Sequence, residues 1–330
     1  MADFRRGASA GRPPAQRRPG FRRASDAGSG QGFGSLTIAD PTSLVRANLT
    51  LAQARLLLAR LLAEAGKEPA ALDARFLIEG ATGMSSLDLL TRAEEPLGEK
   101  NAARLQEVLE RRLRDEPVSR ILGRSGFYGL ELAVTPDVLD PRADTENLVD
   151  AALTFLRETQ VSRPRILDLG TGSGAILCAL LRSAPDACGL GVDLSPAACI
   201  VARNNLETCG LAGRSSIICG DWADAIGASF DLVVSNPPYI GLQEAAALEP
   251  EVTRYDPPLA LFAGEDGLDC YRRLARDIAR LLKPGGGAFF EIGWRQAQAV
   301  GQVFAEAGYR NIRIFKDRGG RDRIAEVRNR

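Results

Sequence analysis

From residue 165 to near the end of the chain, short apolar segments of strand length alternate with longer segments whose apolar residues recur at helical spacing. RILDLG (165–170), ACGLGVDL (187–194), FDLVVSN (230–236) and GAFFEIG (287–293) are four of the strand-like segments. Such alternation predicts an α/β fold, in which a parallel sheet carries helices on both faces. The last two strand-like segments, NIRIFKD and RIAEVR, are joined by a short turn, so they are predicted to pair antiparallel.

The segments before this alternation divide into three further parts. Residues 1–40 are rich in Arg, Gly, Ser and Pro and poor in large apolar residues, which predicts a disordered tail. Residues 41–118 carry apolar residues at helical spacing and predict a small all-helical domain. Residues 119–135 hold three glycines among aromatic and β-branched residues, which favours a hairpin linker. The α/β domain is therefore predicted to span residues 136–330.

The most informative feature of the composition is that the 330 residues contain no histidine. This excludes histidine bases, histidine metal ligands and Ser-His-Asp or Cys-His nucleophiles, so any chemistry must use carboxylates, amides, backbone groups or a bound cofactor. No metal is expected. The 42 basic and 42 acidic residues balance, and no apolar run is long enough to span a bilayer. The six cysteines form no C-x-x-C pair and the start lacks a signal-peptide core, so we expect a reduced, cytoplasmic protein.

A glycine-rich turn follows the first strand of the α/β part. The motif D-L-G-T-G-S-G runs from Asp168 to Gly174, and its glycines permit a tight turn and close approach of the backbone to a ligand. The next strand ends at Asp193, where a carboxylate can accept hydrogen bonds from the hydroxyls of a ribose. Together they predict an adenosine-type ligand. The glycine spacing differs from G-x-G-x-x-G and Asp168 would repel a phosphate, which favours S-adenosylmethionine over NAD.

The fourth strand-like segment of this part, FDLVVSN, runs into the motif S-N-P-P-Y at residues 235–239. Asn236 is predicted to stand at the carboxyl end of this strand, beside the transferable methyl group. The amide oxygen of Asn236 and the carbonyl of Pro237 could each accept a hydrogen from a planar NH₂ group, and Tyr239 offers a flat face for stacking. Two prolines hold the loop in an extended or turn geometry. The motif therefore predicts methylation of an amide or of an exocyclic amine, without deciding between them.

The order of these motifs resembles that of the amino-nitrogen methyltransferases that use S-adenosylmethionine. Together with FYGLELAVTPDVLDPRADTENLVDAAL, DPPLALFAGEDGLDCYRRL, LLKPGGGAFFEIG and KDRGGRDRIAEVR, they resemble more narrowly the PrmC/HemK family, the peptide chain release factor glutamine N5-methyltransferases. The resemblance covers roughly residues 45–330. It implies a Rossmann-like, seven-stranded methyltransferase sheet, and methylation of the glutamine side-chain amide nitrogen (N5) in the Gly-Gly-Gln motif of release factors. It also implies that the helical domain at residues 41–118 docks the substrate.

The resemblance also implies roles for individual residues. Trp222 would lie against the adenine, Thr145 and Glu146 would sit near the amino acid end of the cofactor, and Phe127 would close over it. The predicted cofactor-binding residues are Gly170, Thr171, Gly172, Ser173, Gly174, Asp193, Trp222 and Asn236. The predicted catalytic residues are Asn236, Pro237 and Tyr239, and the predicted substrate-binding residues are Asn236, Pro237, Pro238 and Tyr239. The chain departs from the family pattern at Ala143, where proline is usual, and at Asp140, where an apolar residue is usual.

The rival interpretation is a nucleic-acid methyltransferase acting on adenine N6 or another amino nitrogen, because such a group presents the same planar geometry to N-P-P-Y. It is disfavoured by the acidic segment EAAALEPE after Asn236 and by the lack of a basic surface pattern. An NAD oxidoreductase is disfavoured by the glycine spacing, and a non-catalytic S-adenosylmethionine-binding module by the retention of Asn236. We therefore expect release factors as partners, no direct contact with nucleic acid or membrane, and a monomer.

Overall fold

The structure of the protein, a computed structural model, describes residues 44–328. The predicted disordered tail at residues 1–40 lies outside these residues. The first part of the described chain is helical, and its buried apolar side chains form one cluster. Its helices are α1 (Leu51–Glu64), α2 (Ala70–Thr82), α3 (Ser86–Thr91), α4 (Gly98–Leu113) and α5 (Val118–Leu122). Helix α1 begins at a capping box, in which Thr50 accepts from the backbone N–H of Gln53 and the Gln53 side chain accepts from that of Thr50.

A two-stranded hairpin follows the helices. Strands β1 (Arg124–Phe127) and β2 (Leu130–Ala133) pair antiparallel, and the two residues between them, Tyr128 and Gly129, both have positive φ. This is the conformation that two-residue hairpin turns favour. The prediction of a hairpin across the whole of 119–135 is wrong for its first residues, which belong to α5. That helix ends at Gly123, whose left-handed conformation closes it. The domain boundaries themselves stay predictions.

The remaining chain forms the predicted α/β fold around a seven-stranded sheet. Its strands are β3 (Arg165–Leu169), β4 (Cys188–Asp193), β5 (Ser215–Cys219), β6 (Phe230–Ser235), β7 (Leu282–Glu291), β8 (Ile312–Lys316) and β9 (Asp322–Arg328). Its helices are α6 (Glu146–Thr159), α7 (Ala175–Ser183), α8 (Pro196–Thr208), α9 (Pro250–Tyr255), α10 (Asp269–Leu281) and α11 (Ala297–Glu306). The strand order is β5-β4-β3-β6-β7-β9-β8, and β3 to β7 are parallel. Strands β8 and β9 pair antiparallel, as predicted, and β9 is also antiparallel to β7.

Apolar side chains of the sheet pack against helices on both faces. In β6, Leu232 and Val234 belong to one core cluster with residues of α6 and α7, whereas Val233 belongs to a second cluster with residues of α10 and α11. In β7, Phe289 and Phe290 divide between the two clusters in the same way. This alternation is the reason that the central strands read as continuous apolar runs.

Strand β3 lies in the middle of the sheet, with β4 on one side and β6 on the other. The chain leaves β3 toward β4 in one direction and later returns to β6 on the opposite side. The carboxyl ends of β3, β4 and β6 therefore flank the crevice at which open α/β sheets bind ligands. The predicted glycine turn, acidic strand end and S-N-P-P-Y motif each follow one of these strands.

Candidate active site

An open cavity of about 390 Å³ lies beside the loops that follow β3, β4, β5 and β6. Its volume lies within the range that small-molecule sites usually have. The predicted site residues that line it are Phe127, Thr145, Gly170, Thr171, Gly172, Ser173, Asp193, Trp222, Asn236 and Pro238. Most of these residues follow β3, β4, β5 or β6 and meet because the carboxyl ends of parallel strands lie at one edge of the sheet, whereas Phe127 comes from the hairpin and Thr145 from the turn before α6.

The glycine turn holds its shape through backbone conformation and backbone hydrogen bonds. Gly170 and Gly172 both have positive φ, at 70° and 54°, a region that side-chain-bearing residues rarely occupy. The N–H groups of Gly170 and Thr171 both donate to the carbonyl of Val192, each at 2.9 Å. Gly174 has a different position, since it does not line the cavity and a Cβ there would stand 3.2 Å from the Cα of Ala202 in α8. The lack of a side chain at Gly174 therefore allows the start of α7 to pack closely against α8.

Asp193 connects the glycine turn to the end of β4. Its Oδ2 accepts a hydrogen bond from the Gly172 N–H at 2.8 Å, and its Oδ1 accepts from the Ser195 N–H at 2.9 Å. Each carboxylate oxygen has two acceptor positions, so one on each oxygen is left after these bonds. Asp193 can therefore fix the loop backbone and still accept two further hydrogen bonds at the cavity.

Asp168 lies fully buried beneath the glycine turn. Its Oδ2 accepts from the Thr171 hydroxyl at 2.6 Å, and its Oδ1 has no hydrogen-bond partner among the described residues. Burial raises the pKa of this carboxyl to about 7, and the nearby Asp193 carboxylate acts in the same direction. The turn therefore has a carboxyl group below it whose ionisation a positive charge nearby would favour.

Trp222 lines the cavity on the side of β5. It has a left-handed backbone conformation, with φ at 50°, which is unfavourable for a residue with a side chain. The residue before it, Asp221, is held at 2.8 Å by Arg273 of α10. Strained backbone at a cavity wall is consistent with a site residue, because the surrounding structure must hold it in place.

Asn236 follows β6 directly and is tied to two buried polar residues. Its Nδ2 donates to the Thr145 Oγ1 at 3.1 Å, and the Thr145 hydroxyl donates to the Glu291 Oε2 at 2.6 Å. Thr145 and Glu291 are 4% and 2% exposed. Burial raises the pKa of Glu291 to about 7, while the hydrogen bond from Thr145 lowers it. No group among the described residues donates to the Asn236 Oδ1, so this oxygen is available to a ligand.

The other members of the S-N-P-P-Y motif occupy different surroundings. Pro238 lines the cavity, whereas Pro237 is buried and Tyr239 packs against the core between the sheet and α10, with its hydroxyl 3.5 Å from the Glu291 Oε1. Burial raises the pKa of Tyr239 above its ordinary value. The predicted stacking of Tyr239 on a substrate, and the predicted carbonyl contact of Pro237, stay predictions.

Two residues that the family resemblance placed near the cofactor differ in what they contact. Phe127 lines the cavity and is buried at the end of β1. Glu146 instead accepts a hydrogen bond from the backbone N–H of Tyr128 at 2.7 Å, and so ties α6 to the hairpin. Glu146 is not among the lining residues.

The opposite wall of the cavity has no predicted role. The loop before α6 and the loop after α9 form this wall, with Asp140, Arg142, Pro257, Leu259, Ala260 and Phe262. Asp256, buried at 5% exposure, pairs with Arg142 of the first loop and, at 3.0 Å, with Arg120 of α5. The segment DPPLALF was visible in the sequence, but no charge or period in it indicated that it would close a site.

The residues present fit an adenosine-type ligand that carries a positive charge. Asp193 has free acceptor positions for a ribose diol, and Trp222 offers an indole surface. The Asp168 carboxyl, which has no ion-pair partner among the described residues, lies below the glycine turn. Within residues 44–328, no group of Cys, Asp and Glu is arranged to hold a metal ion. Nor does that part of the chain contain a helix long and apolar enough to cross a membrane.

Both the helical part and the α/β part of this chain are similar to known proteins. Residues 53–123 match the PrmC N-terminal domain, and residues 145–252 match the methyltransferase small domain. The release factor glutamine methyltransferase of Caulobacter vibrioides is 45% identical over 264 residues, which cover 80% of this chain and 91% of that protein. The release factor glutamine methyltransferase of Rhodospirillum rubrum is 46% identical over 266 residues, 81% of each chain. The hMettl16 catalytic domain, solved in complex with MAT2A 3′UTR hairpin 1, shares the fold, with a TM-score of 0.50, 15% identity and coverage of 70% of this chain and 83% of that one.

Proposed function

Because this chain belongs to the release factor glutamine methyltransferase family, we propose that it transfers a methyl group from S-adenosylmethionine to a glutamine of peptide chain release factors. The acceptor is the side-chain amide nitrogen (N5) of the glutamine in their Gly-Gly-Gln motif. One observation carries this proposal: the Asn236 amide stands at a cavity built by the glycine turn and Asp193, with its nitrogen bonded to Thr145 and its oxygen left for a ligand.

The cavity residues support S-adenosylmethionine as the methyl donor. Asp193 would accept hydrogen bonds from the ribose hydroxyls, Trp222 would lie against the adenine, and Gly170 to Ser173 would line the methionine part. When bound, S-adenosylmethionine supplies a methyl group attached to a positively charged sulfur. The Asp168 carboxyl, once ionised, would add negative charge beneath the turn that faces this ligand.

The S-N-P-P-Y motif supports an amide as the methyl acceptor. The nitrogen of an amide is a weak nucleophile because its lone pair is delocalised. If the Asn236 Oδ1 and the Pro237 carbonyl each accept one hydrogen of the substrate NH₂ group, they orient the nitrogen and raise its electron density. Positioning of reactants can contribute about 7–11 kcal/mol in favourable cases. This role requires no imidazole, in keeping with a chain that contains no histidine.

The three predicted parts of residues 41–330 have separate proposed roles. Residues 41–118 would form the docking domain, residues 119–135 the linker and residues 136–330 the methyltransferase domain.

Gly174, Pro237 and Tyr239 keep their proposed site roles, although they do not line the cavity. The reduced cytoplasm is the proposed compartment, since the six cysteines are free thiols. The proposed enzyme acts as a monomer without direct contact to nucleic acid.

The test incubates the purified full chain with S-adenosylmethionine and an intact release factor, followed by peptide mass analysis. We expect a methyl-sized mass increase on the peptide that contains the Gly-Gly-Gln motif. A release factor whose motif glutamine is replaced by asparagine is the matched control and should stay unmodified. Methylation of duplex DNA or ribosomal RNA, with the release factor unchanged, would refute the proposal.

The Asn236→Ala variant separates the acceptor role from cofactor binding. We expect kcat/KM for the release factor to fall about 100- to 1,000-fold, as when a positioned transition-state group is removed, while the Kd for S-adenosylmethionine stays within threefold. Asn101→Ala is the control, because among the described residues its side chain bonds only to the carbonyl of Leu97, the residue before α4. An equal loss of cofactor binding and turnover would mean that Asn236 serves the cofactor alone.

A further inference from the structure

The three residues Asn236, Thr145 and Glu291 come from separate elements and meet behind the cavity. Asn236 follows β6, and Glu291 is the last residue of the neighbouring strand β7. Thr145 ends a short 3-10 turn, Ala143–Thr145, that leads into α6. The sequence separates Thr145 from Glu291 by 146 positions, yet their oxygens lie 2.6 Å apart. A contact this short between buried side chains indicates a specific polar connection.

The direction of each hydrogen bond in this connection follows from the chemistry of Glu291. An ionised carboxylate can only accept, so the single proton of the Thr145 hydroxyl must point toward Glu291. The Thr145 oxygen then has only acceptor positions left for Asn236. The group of Asn236 that faces Thr145 must therefore be the NH₂ and not the carbonyl. With the NH₂ bound in this way, the Oδ1 is the part of the amide that remains for the cavity.

On this basis, which rests on the proposed function, we propose that Thr145 and Glu291 are positioning residues that fix the orientation of the Asn236 amide and so present its oxygen to the substrate NH₂ group. Without them the amide could rotate and present its own NH₂. A donor would then face the two hydrogens of the substrate nitrogen, which it cannot bind. Orientation of one amide thus decides whether the motif can grip its substrate.

The surroundings of Glu291 hold it in place and set its charge. The Tyr271 hydroxyl donates to its backbone carbonyl at 2.8 Å, and Phe290 beside it packs on Phe304 with ring centroids 5.2 Å apart. The titratable and charged groups that face the carboxyl are Asp144, Tyr239, Tyr271 and Arg323. Arg323 is itself paired with Asp144 at 3.0 Å.

The charge of Glu291 gives the connection a pH dependence. Burial is the main reason that its pKa is raised to about 7, and Asp144 acts in the same direction, whereas Arg323 and the hydrogen bonds from Thr145 and Tyr239 oppose it. Above this pH the carboxylate only accepts, so the direction of both hydrogen bonds is fixed. Below it the protonated carboxyl can donate to Thr145, and the Asn236 amide loses its fixed orientation. Turnover should therefore decrease as the pH falls through about 7.

The test compares Thr145→Val, which removes the hydroxyl at nearly constant volume, with Thr145→Ser, which keeps it. We expect Thr145→Val to lower kcat/KM for the release factor about 10- to 100-fold, as for loss of a hydrogen bond linked to a charged group, and Thr145→Ser to stay within threefold of wild type. The Kd for S-adenosylmethionine should stay within threefold of wild type in both. The Tm should fall in Thr145→Val, because the buried Glu291 carboxylate loses a hydrogen bond, and should change little in Thr145→Ser, so turnover is compared below the Tm of each protein. Thr154→Val is the control, because that hydroxyl bonds to the Asp150 carbonyl within α6.

A second variant tests the role of charge. Glu291→Gln has the same shape, but its side chain can donate as well as accept. With S-adenosylmethionine saturating, so that cofactor binding at Asp168 does not limit the rate, its turnover should be lower and should lose the decrease near pH 7. A Thr145→Val enzyme as active as wild type would refute the connection, as would equal losses in Thr145→Val and Thr145→Ser. An unchanged pH profile in Glu291→Gln would also refute it.

Neutron diffraction from crystals of the full chain tests the orientation without any turnover. We expect the two deuterons of Asn236 to lie on the atom that faces Thr145. If the oxygen faces Thr145, the inference is wrong even for an active methyltransferase. If instead the orientation is as expected but no release factor is methylated by wild-type enzyme, the proposed function fails and the positioning of the amide stands.

Discussion

Substitution of Asp193 by Asn is expected to weaken S-adenosylmethionine binding strongly, although the two side chains have the same shape. In the structure each carboxylate oxygen already accepts one backbone N–H, from Gly172 at 2.8 Å and from Ser195 at 2.9 Å. The remaining acceptor position on each oxygen is the one proposed to receive a ribose hydroxyl. Asparagine has only one oxygen, so its NH₂ group must face either the Gly172 or the Ser195 N–H, donor against donor.

The magnitude follows from the bonds that asparagine cannot make. A hydrogen bond to a charged acceptor contributes about 1.5–3 kcal/mol, and the variant loses one to the ribose together with the charge that strengthens the other. A total loss of about 3 kcal/mol corresponds to a rise in Kd of about 100-fold, at roughly 1.4 kcal/mol per tenfold. Disruption of the bond to Gly172 or Ser195 should also lower the free energy of unfolding by about 1–3 kcal/mol.

Isothermal titration calorimetry with S-adenosylmethionine measures this directly, and urea unfolding without ligand measures the effect on the loop. Asp186→Asn is the matched control, because Asp186 is exposed in the turn after α7 and makes no side-chain bond in the described structure. Its Kd should match that of wild type. If Asp193→Asn binds within about threefold of wild type, the carboxylate does not hold the loop and the ribose together, and the reasoning is wrong.

Two further predictions concern the glycine turn itself. Gly174→Ala should lower the free energy of unfolding by about 1–3 kcal/mol, because φ is 79° there and the new Cβ meets the Ala202 backbone at 3.2 Å. Urea unfolding checks this against Gly301→Ala, a helical position with open space around it, where no loss is expected. Asp168→Asn should reduce the pH dependence of stability. The folded-state pKa of Asp168 is about 7 against 3.8 for an ordinary Asp, so its stabilising contribution is present at low pH and is lost as the pH rises from about 4 through 7, on the order of 4 kcal/mol. Unfolding of the ligand-free protein between pH 4 and pH 8 measures it, and an unchanged slope in the variant would contradict a protonated, buried Asp168.

Much of the fold could be predicted because it depends on periodicity and on the order of short segments. Strands β3, β4 and β6 lie where apolar runs predicted them, and helices fill the intervals. The convergence of the glycine turn, Asp193 and Asn236 was also predictable, since residues that follow parallel strands of one sheet must meet at one edge. The hairpin was less well predicted: Val118–Leu122 is helical because Pro117 and Gly123 provide a start and a stop that outweigh the nearby glycines.

The periodicity and the order of motifs were enough to predict the kind of fold, the edge of the sheet that carries the site, and the residue types available for chemistry. Which side chains face the cavity and which support them from behind depends on tertiary packing. A pattern of spacing shows which face of an element is buried but not what it touches, so nothing in the sequence indicated that Gly174 packs on Ala202. Neither did it indicate that Glu291 would reach Asn236 through Thr145. Those contacts join positions far apart in the chain, and they depend on how strands and helices pack in three dimensions.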